Sequence, residues 1–263
     1  MNMNIESYLR NSKKVDLSDI DTASAADFPL TPEEARCLTY MMDVESHTIM
    51  YLRGLLNTCA VDDPEIAAFL PCWAYEELFH GRALQQFLEA CGVCFAPGRS
   101  AEVRNSASLS ERIQEAGASL LCRFTPHLTA AYLTWGAVQE LSTLEGYGLL
   151  ERSTHNPILA EILRRIIKDE RRHFAFYYNK AKTYLAPPAA QRLTSFLLRR
   201  FWNPVGQGIK SAPDTRWMLQ FLFAGGRGLD ASRRIDSAIS RLPGLAWFDL
   251  FGQSRRSAVA AAV

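Results

Sequence analysis

Glu76-Glu77-Leu78-Phe79-His80 and Asp169-Glu170-Arg171-Arg172-His173 share one spacing: an acid, then a glutamate, then a histidine three residues on. Helical positions three apart lie on one side, so each copy presents a carboxylate and an imidazole together. Each is preceded by a glutamate set in an apolar helical pattern, Glu45 lying 32 residues before Glu77 and Glu140 lying 30 residues before Glu170. A buried carboxylate without compensation is strongly disfavoured. Four glutamates at the centres of apolar faces need a common partner, and two metal ions supply it. Glu45, Glu77, His80, Glu140, Glu170 and His173 thus form the ligand set of a dinuclear metal site inside a helical bundle.

One such frame alone is commonly a satisfied core histidine. Here two of only five histidines sit in these frames, each behind its own upstream acid, which a chance of packing explains poorly. Glu76 and Asp169 are placed to reach the far ring nitrogen of a histidine, preferentially the one in the opposite motif, fixing its tautomer. Their plainer reading is as surface charges. Glu145 rivals Glu140 on the same helix, but the two lie about 140° apart on the wheel, so only one faces the centre. Symmetry with Glu45 favours Glu140. His47, His127 and His155 fall off these faces or at helix starts and are read as non-ligands. The aromatic residues Trp73, Phe79, Trp135, Tyr147, Phe174 and Tyr177 are core candidates that would also wall an apolar channel between helices.

Around the motifs, helix signals recur. Thr31-Pro32-Glu33-Glu34 opens a helix to about residue 57, with a capping box and a stripe of Leu38, Met41, Glu45, Ile49, Leu52 and Leu56. Asp63-Pro64 opens a second, ended by Gly92, with a kink or restart expected at Pro71. A Gly/Pro/Ser loop over 92–107 and a shorter helix near 109–123 follow. Thr125-Pro126 and Asn156-Pro157 open two further long helices, and Pro187-Pro188 closes the last. No window alternates with period two, so no strand is expected. The expected architecture is all-α, a ferritin-like four-helix bundle with additional shorter helices and a long crossover between the helix pairs. Residues 1–30 read as a loosely ordered lead-in, 31–190 as the bundle, and 191–263 as a helical, Arg-rich extension of two or three helices packed on it, one domain overall.

Composition narrows the class. The chain has 263 residues, 48% hydrophobic and 22% charged, as in an ordinary globular protein. No apolar run approaches the ~20 residues of a membrane span, and the polar N-terminus suggests no signal peptide. Six scattered cysteines, Cys37, Cys59, Cys72, Cys91, Cys94 and Cys122, show no framework spacing, so a reduced, cytoplasmic setting is expected. Cys91 and Cys94 form a lone CxxC and are read as structural. Residues 1–190 carry 18 Lys/Arg against 24 Asp/Glu, residues 191–263 carry 11 against 4. That basic segment is either a solvated surface or a dock for an acidic partner or a phosphate. Nothing resembles a nucleic-acid motif.

Trp73-Ala74-Tyr75-Glu76-Glu77-Leu78-Phe79-His80-Gly81, Asp169-Glu170-Arg171-Arg172-His173 with Tyr177, and Gln139-Glu140 with Thr143 resemble the helices of soluble acyl-carrier-protein desaturases, within the ferritin-like di-iron superfamily. The likeness covers about residues 35–185; residues 191–263 align with nothing in it. It implies Glu45 and Glu140 as terminal ligands, Glu77 and Glu170 as bridging ligands, His80 and His173 as nitrogen ligands, and Thr143 as a catalytic residue at the dioxygen site. The extra histidine that arylamine N-oxygenases carry is absent, its position being Ile166. The expected function is a non-haem di-iron oxidase that uses dioxygen to desaturate or hydroxylate an apolar acyl chain, carrier- or CoA-bound. The alternative is a ferroxidase or iron-handling protein. Two iron ions are the expected cofactor, with a manganese–iron pair left open. Acyl carrier protein, an electron donor such as ferredoxin, and a second copy of the chain as homodimer are the expected partners.

Overall fold

A computed structural model describes residues 5–56, 58–99, 125, 127–207 and 209–260. Among these the regular elements are all helices: α1 (Ile5–Asn11), α2 (Pro32–Leu56), α3 (Pro64–Ala90), α4 (Leu128–Ser153), α5 (Pro157–Tyr184), α6 (Pro188–Phe201), α7 (Ala212–Phe223), α8 (Gly226–Ile239) and α9 (Leu250–Ala260), with short 3-10 turns at Thr22–Asp27 and Cys59–Asp62. No strand occurs among the described residues, only an isolated bridge between Gln207 and Lys210. The all-α bundle expected from the sequence is thus the fold. The helix near 109–123, most of the crossover, Pro126 and Cys122 lie outside the described residues.

Local chemistry sets the helix starts. Thr31 and Glu34 form a reciprocal capping box, Glu34 N donating to Thr31 Oγ1 (3.1 Å) and Thr31 N to the Glu34 carboxylate (2.9 Å). Asp63 accepts from the amides of Glu65 and Ile66, and its other oxygen takes Lys180 Nζ (2.7 Å) and the Tyr184 hydroxyl (3.0 Å). The cap of α3 therefore also anchors the end of α5. Asn156 caps α5 through Ile158 and Leu159, while its amide nitrogen donates to Ala25 O (3.0 Å) and Phe28 O (2.9 Å).

α2 packs along α3 and α4 along α5, and the two pairs meet through α3 and α5. At that seam Phe69 stacks on Phe176 with ring centroids 3.7 Å apart, and Trp73 meets Tyr177 edge-on at 5.5 Å. Gly81 lets α2 approach α3: a Cβ there would lie 2.8 Å from Ser46 Oγ and 3.3 Å from Glu45 Cβ. That close approach puts Glu45 beside the first motif.

Several expectations are corrected. α3 continues through Pro71 without a restart; the proline is exposed while Phe69, Leu70 and Trp73 are buried. On α2, Ile49 and Leu56 are exposed and Thr48 is buried instead, since the buried stripe drifts with the 3.6-residue period. α4 starts at Leu128 after an uncapped His127. Residues of the lead-in make contacts with the bundle: Tyr8 and Ala25 are buried, and Arg165 pairs with Asp19 and Asp16 O. The C-terminal segment holds four helices where two or three were expected, because Pro188 opens α6 and Gly225 caps α8. α6, α7 and α8 pack on α4, which is why α4 is buried nearly all round.

Candidate metal centre

Glu45 comes from α2, Glu76, Glu77 and His80 from α3, Glu140 from α4, and Asp169, Glu170 and His173 from α5. The six expected ligands are all buried. They converge in two overlapping groups, Glu45–Glu77–His80–Glu170 and Glu77–Glu140–Glu170–His173, each with donor atoms within 4.8 Å of one another. Glu77 and Glu170 belong to both groups and so lie between them. The rings of His80 and His173 sit 5.8 Å apart.

Each histidine turns Nδ1 into the cluster and Nε2 out of it. His80 Nδ1 lies 3.2 Å from Glu170 Oε1, and His173 Nδ1 lies 2.8 Å from Glu77 Oε1 and 3.5 Å from Glu140 Oε2. On the outer side, His173 Nε2 is 2.8 Å from Glu76 Oε2 and His80 Nε2 is 3.2 Å from Asp169 Oδ2. The two motifs are therefore cross-connected, each acid serving the other motif's ring. Glu145, the rival of Glu140, points away and forms a bidentate pair with Arg234 (2.9 and 2.7 Å).

The inward atoms test whether metal ions fit. His80 Nδ1, His173 Nδ1, Glu77 Oε1 and both Glu170 oxygens are buried and meet one another at 2.8 to 3.8 Å without well-aligned hydrogen bonds, against the rule that buried polar atoms are bonded. Carboxylate oxygens and imidazole nitrogens converging with free lone pairs suit divalent first-row metals. The two groups could hold one ion each.

Without metal, protons do the neutralising. Burial, reinforced by neighbouring carboxylates, raises Glu45 well above the usual carboxylate range, Glu77 to about 7 and Glu140 to about 8. Glu170 moves the other way: burial opposes its charge, but His173 and His80 outweigh that and hold it at about 2. His80 is raised to about 9 because Asp169 and Glu170 overcome the burial of its ring.

Sequence reasoning missed the groups that support this cluster. Tyr147, expected as core, donates its hydroxyl to Glu45, and Trp73 Nε1 donates to Glu140 Oε1 (3.1 Å). Glu76 receives the Tyr8 hydroxyl (2.6 Å), Lys13 N (3.2 Å) and Arg172 (2.7 Å), and Arg172 also holds Asp169 (2.6 Å). Arg172 was legible, being one helical turn from Asp169 inside the motif. Tyr8 carried no signal, since only the fold brings residue 8 to residue 76.

A cavity of about 380 Å³ opens beside the cluster, reached by Glu45, Glu77, Glu140 and Glu170 and walled by Trp73, Trp135 and Tyr177. Thr143 lines it too. Phe79 and Phe174 do not; they pack against Tyr75 and Tyr178. The segment Asn203–Gln207 lines it as well. Among the described residues, no helix is long and apolar enough to cross a membrane. The family model described as fatty acid desaturase matches residues 42–199, which contain every residue of the cluster. None of the curated proteins and none of the solved structures compared matches the chain.

Proposed function

This chain belongs to the fatty acid desaturase family, and from that premise we propose that it is a di-iron oxidase that removes two hydrogens from an acyl chain held as a thioester. The observation that carries this reading is the pair of buried Glu/His groups facing an apolar cavity. Glu45, Glu77, His80 and Glu170 would hold one ion, and Glu77, Glu140, Glu170 and His173 the other. Bound iron would supply the redox chemistry that activates dioxygen. The overall change balances as one –CH2–CH2– unit, one dioxygen, two electrons and two protons giving one –CH=CH– unit and two waters. The electrons require an external one-electron donor of the ferredoxin type.

The remaining chemistry belongs to the chain. Glu76 and Asp169 orient the two rings and keep Nδ1 available. Trp73, Trp135 and Tyr177 present apolar surface to the acyl chain and exclude water from the cluster. Thr143 brings a hydroxyl to the cavity wall, where it can pass a proton. A carrier- or CoA-linked substrate is supported by a groove of about 530 Å³ formed by α6, α7 and α9. Arg199 and Arg216 line it, and Asn203, Pro204 and Gln207 border both the groove and the cavity.

Anaerobic Fe(II) titration followed by oxygen, with and without acyl-carrier substrate, tests the proposal. About two irons per chain, an oxygen-dependent absorption and its faster decay with substrate are expected. Weak iron uptake or no response to oxygen refutes it. His80→Ala and His173→Ala should each abolish the signal with little loss of helical circular dichroism.

A further inference from the structure

We propose that the outer face of α6 docks the protein on an anionic lipid surface. α6 has two distinct sides. Ala190, Thr194 and Leu198, four residues apart, are buried, and the helix packs on α4. Arg192, Phe196 and Arg200, also four apart, lie about 200° away on the wheel and are exposed. Phe196, 60% exposed, and Phe201, 52% exposed, are the two most exposed large apolar side chains among the described residues. Their rings meet edge-on with centroids 6.5 Å apart. Two phenylalanines left together in water, on a helix that already buries its other side, mark a contact surface.

Charge indicates what covers it. No Asp or Glu stands between Glu170 and Asp214, so α6 and both its flanks carry cations alone. The Arg199 guanidinium lies 3.6 Å from the ring centroid of Trp247, and that of Arg200 lies 5.5 Å from the ring centroid of Phe201. Arg192, Arg199 and Arg200 form no ion pair among the described residues. Arginines interleaved with aromatic rings on one exposed helix face suit the boundary of a bilayer, where rings enter the acyl layer and guanidiniums meet lipid phosphates. The face is the ridge of a single helix. A folded partner would have to offer a groove matched to it, whereas a fluid bilayer closes around any ridge. The contact is peripheral, since no helix among the described residues is long and apolar enough to cross a membrane. Leu198, Arg199 and Trp202 border the groove that α6 shares with α7 and α9, so docking brings that groove to the lipid surface.

Co-sedimentation of the full-length chain with vesicles of equal parts phosphatidylglycerol and phosphatidylcholine, against vesicles of phosphatidylcholine alone, tests the proposal. Binding to the anionic vesicles should be tighter by about tenfold or more and should weaken with added salt. Arg192→Gln with Arg200→Gln should weaken it roughly 10- to 30-fold, and Phe196→Ser with Phe201→Ser about tenfold or more. Arg227→Gln with Arg233→Gln, which removes the same charge from α8, should leave it within about twofold. If the serine pair loses its helical circular dichroism, Phe196→Trp serves: lipids brominated on their acyl chains should quench its emission beyond that of wild type. The proposal is overturned if both kinds of vesicle bind alike, if the α8 pair weakens binding as much as the α6 pair, or if the phenylalanine variants bind like wild type. It is overturned equally if vesicles do not bind while an acidic acyl carrier protein does so through Phe196 and Arg192, which would make the face a protein interface. Iron uptake and oxygen response are read separately, so failure of the lipid contact leaves the oxidase reading standing, and the reverse holds too.

Discussion

Glu76 shows how much one side chain can carry. It is fully buried, yet it binds Tyr8, Lys13 N, Arg172 and the outer nitrogen of His173. Burial opposes its charge, but those partners, His173 foremost, hold it at about 2 against an ordinary 4.5. A depressed carboxyl contributes stability that is fully present above its unfolded value and is lost as pH falls through its folded one. Glu76→Gln should therefore lower the unfolding free energy measured in urea at neutral pH, by on the order of 3 kcal/mol. The gap to wild type should close between about pH 4.5 and 2. The same variant should bind metal about 10- to 100-fold more weakly in chelator competition, because the His173 ring loses its orienting partner. The motif spacing revealed that acids would sit behind the rings. It could not reveal Tyr8, whose contact spans 68 residues of chain, nor that Tyr147 would serve Glu45.

At the scale of elements, α2, α3 and α5 were legible because each carries its own start signal and an apolar period, whereas α4 starts after the uncapped His127 and is buried nearly all round. Ile49 misled because solvent exposure on one face is a tertiary outcome that propensity does not encode. The segment Asn203–Gln207 was read only as punctuation, yet it forms a cavity wall. Its turn depends on Gly206, at φ +86° against the Tyr40 hydroxyl. Gly206→Ala should cost about 1–3 kcal/mol, seen as a thermal midpoint lower by several degrees. Tyr40→Phe, which removes the hydroxyl's bonds to Val205 O and Thr215 Oγ1 but keeps the backbone path, should cost about 1–2 kcal/mol. Equal stability of Gly206→Ala and wild type in a differential scan would contradict the strain argument.

For the whole molecule, metal and protons compete for one cluster. Glu77 and Glu140, raised to about 7 and 8, and His80, raised to about 9, hold protons that a metal must displace. Raised values mean that the proton-bound state persists to higher pH. Apparent affinity for Co(II) should thus rise steeply from about pH 6 to 9 and level off above. A pH indicator in weakly buffered solution should record proton release on binding; flat affinity across that range would contradict it. The sequence made the cluster visible because its residues are spaced by helix geometry, whereas the extension that also lines the cavity follows no such rule. The crossed acids, Glu76 on His173 and Asp169 on His80, carry one more consequence. Neither helix pair can orient its own histidine, so neither half of the chain contains a binding site that works before the halves dock. A metal held between both rings would therefore meet its complete site only once the two helix pairs have docked.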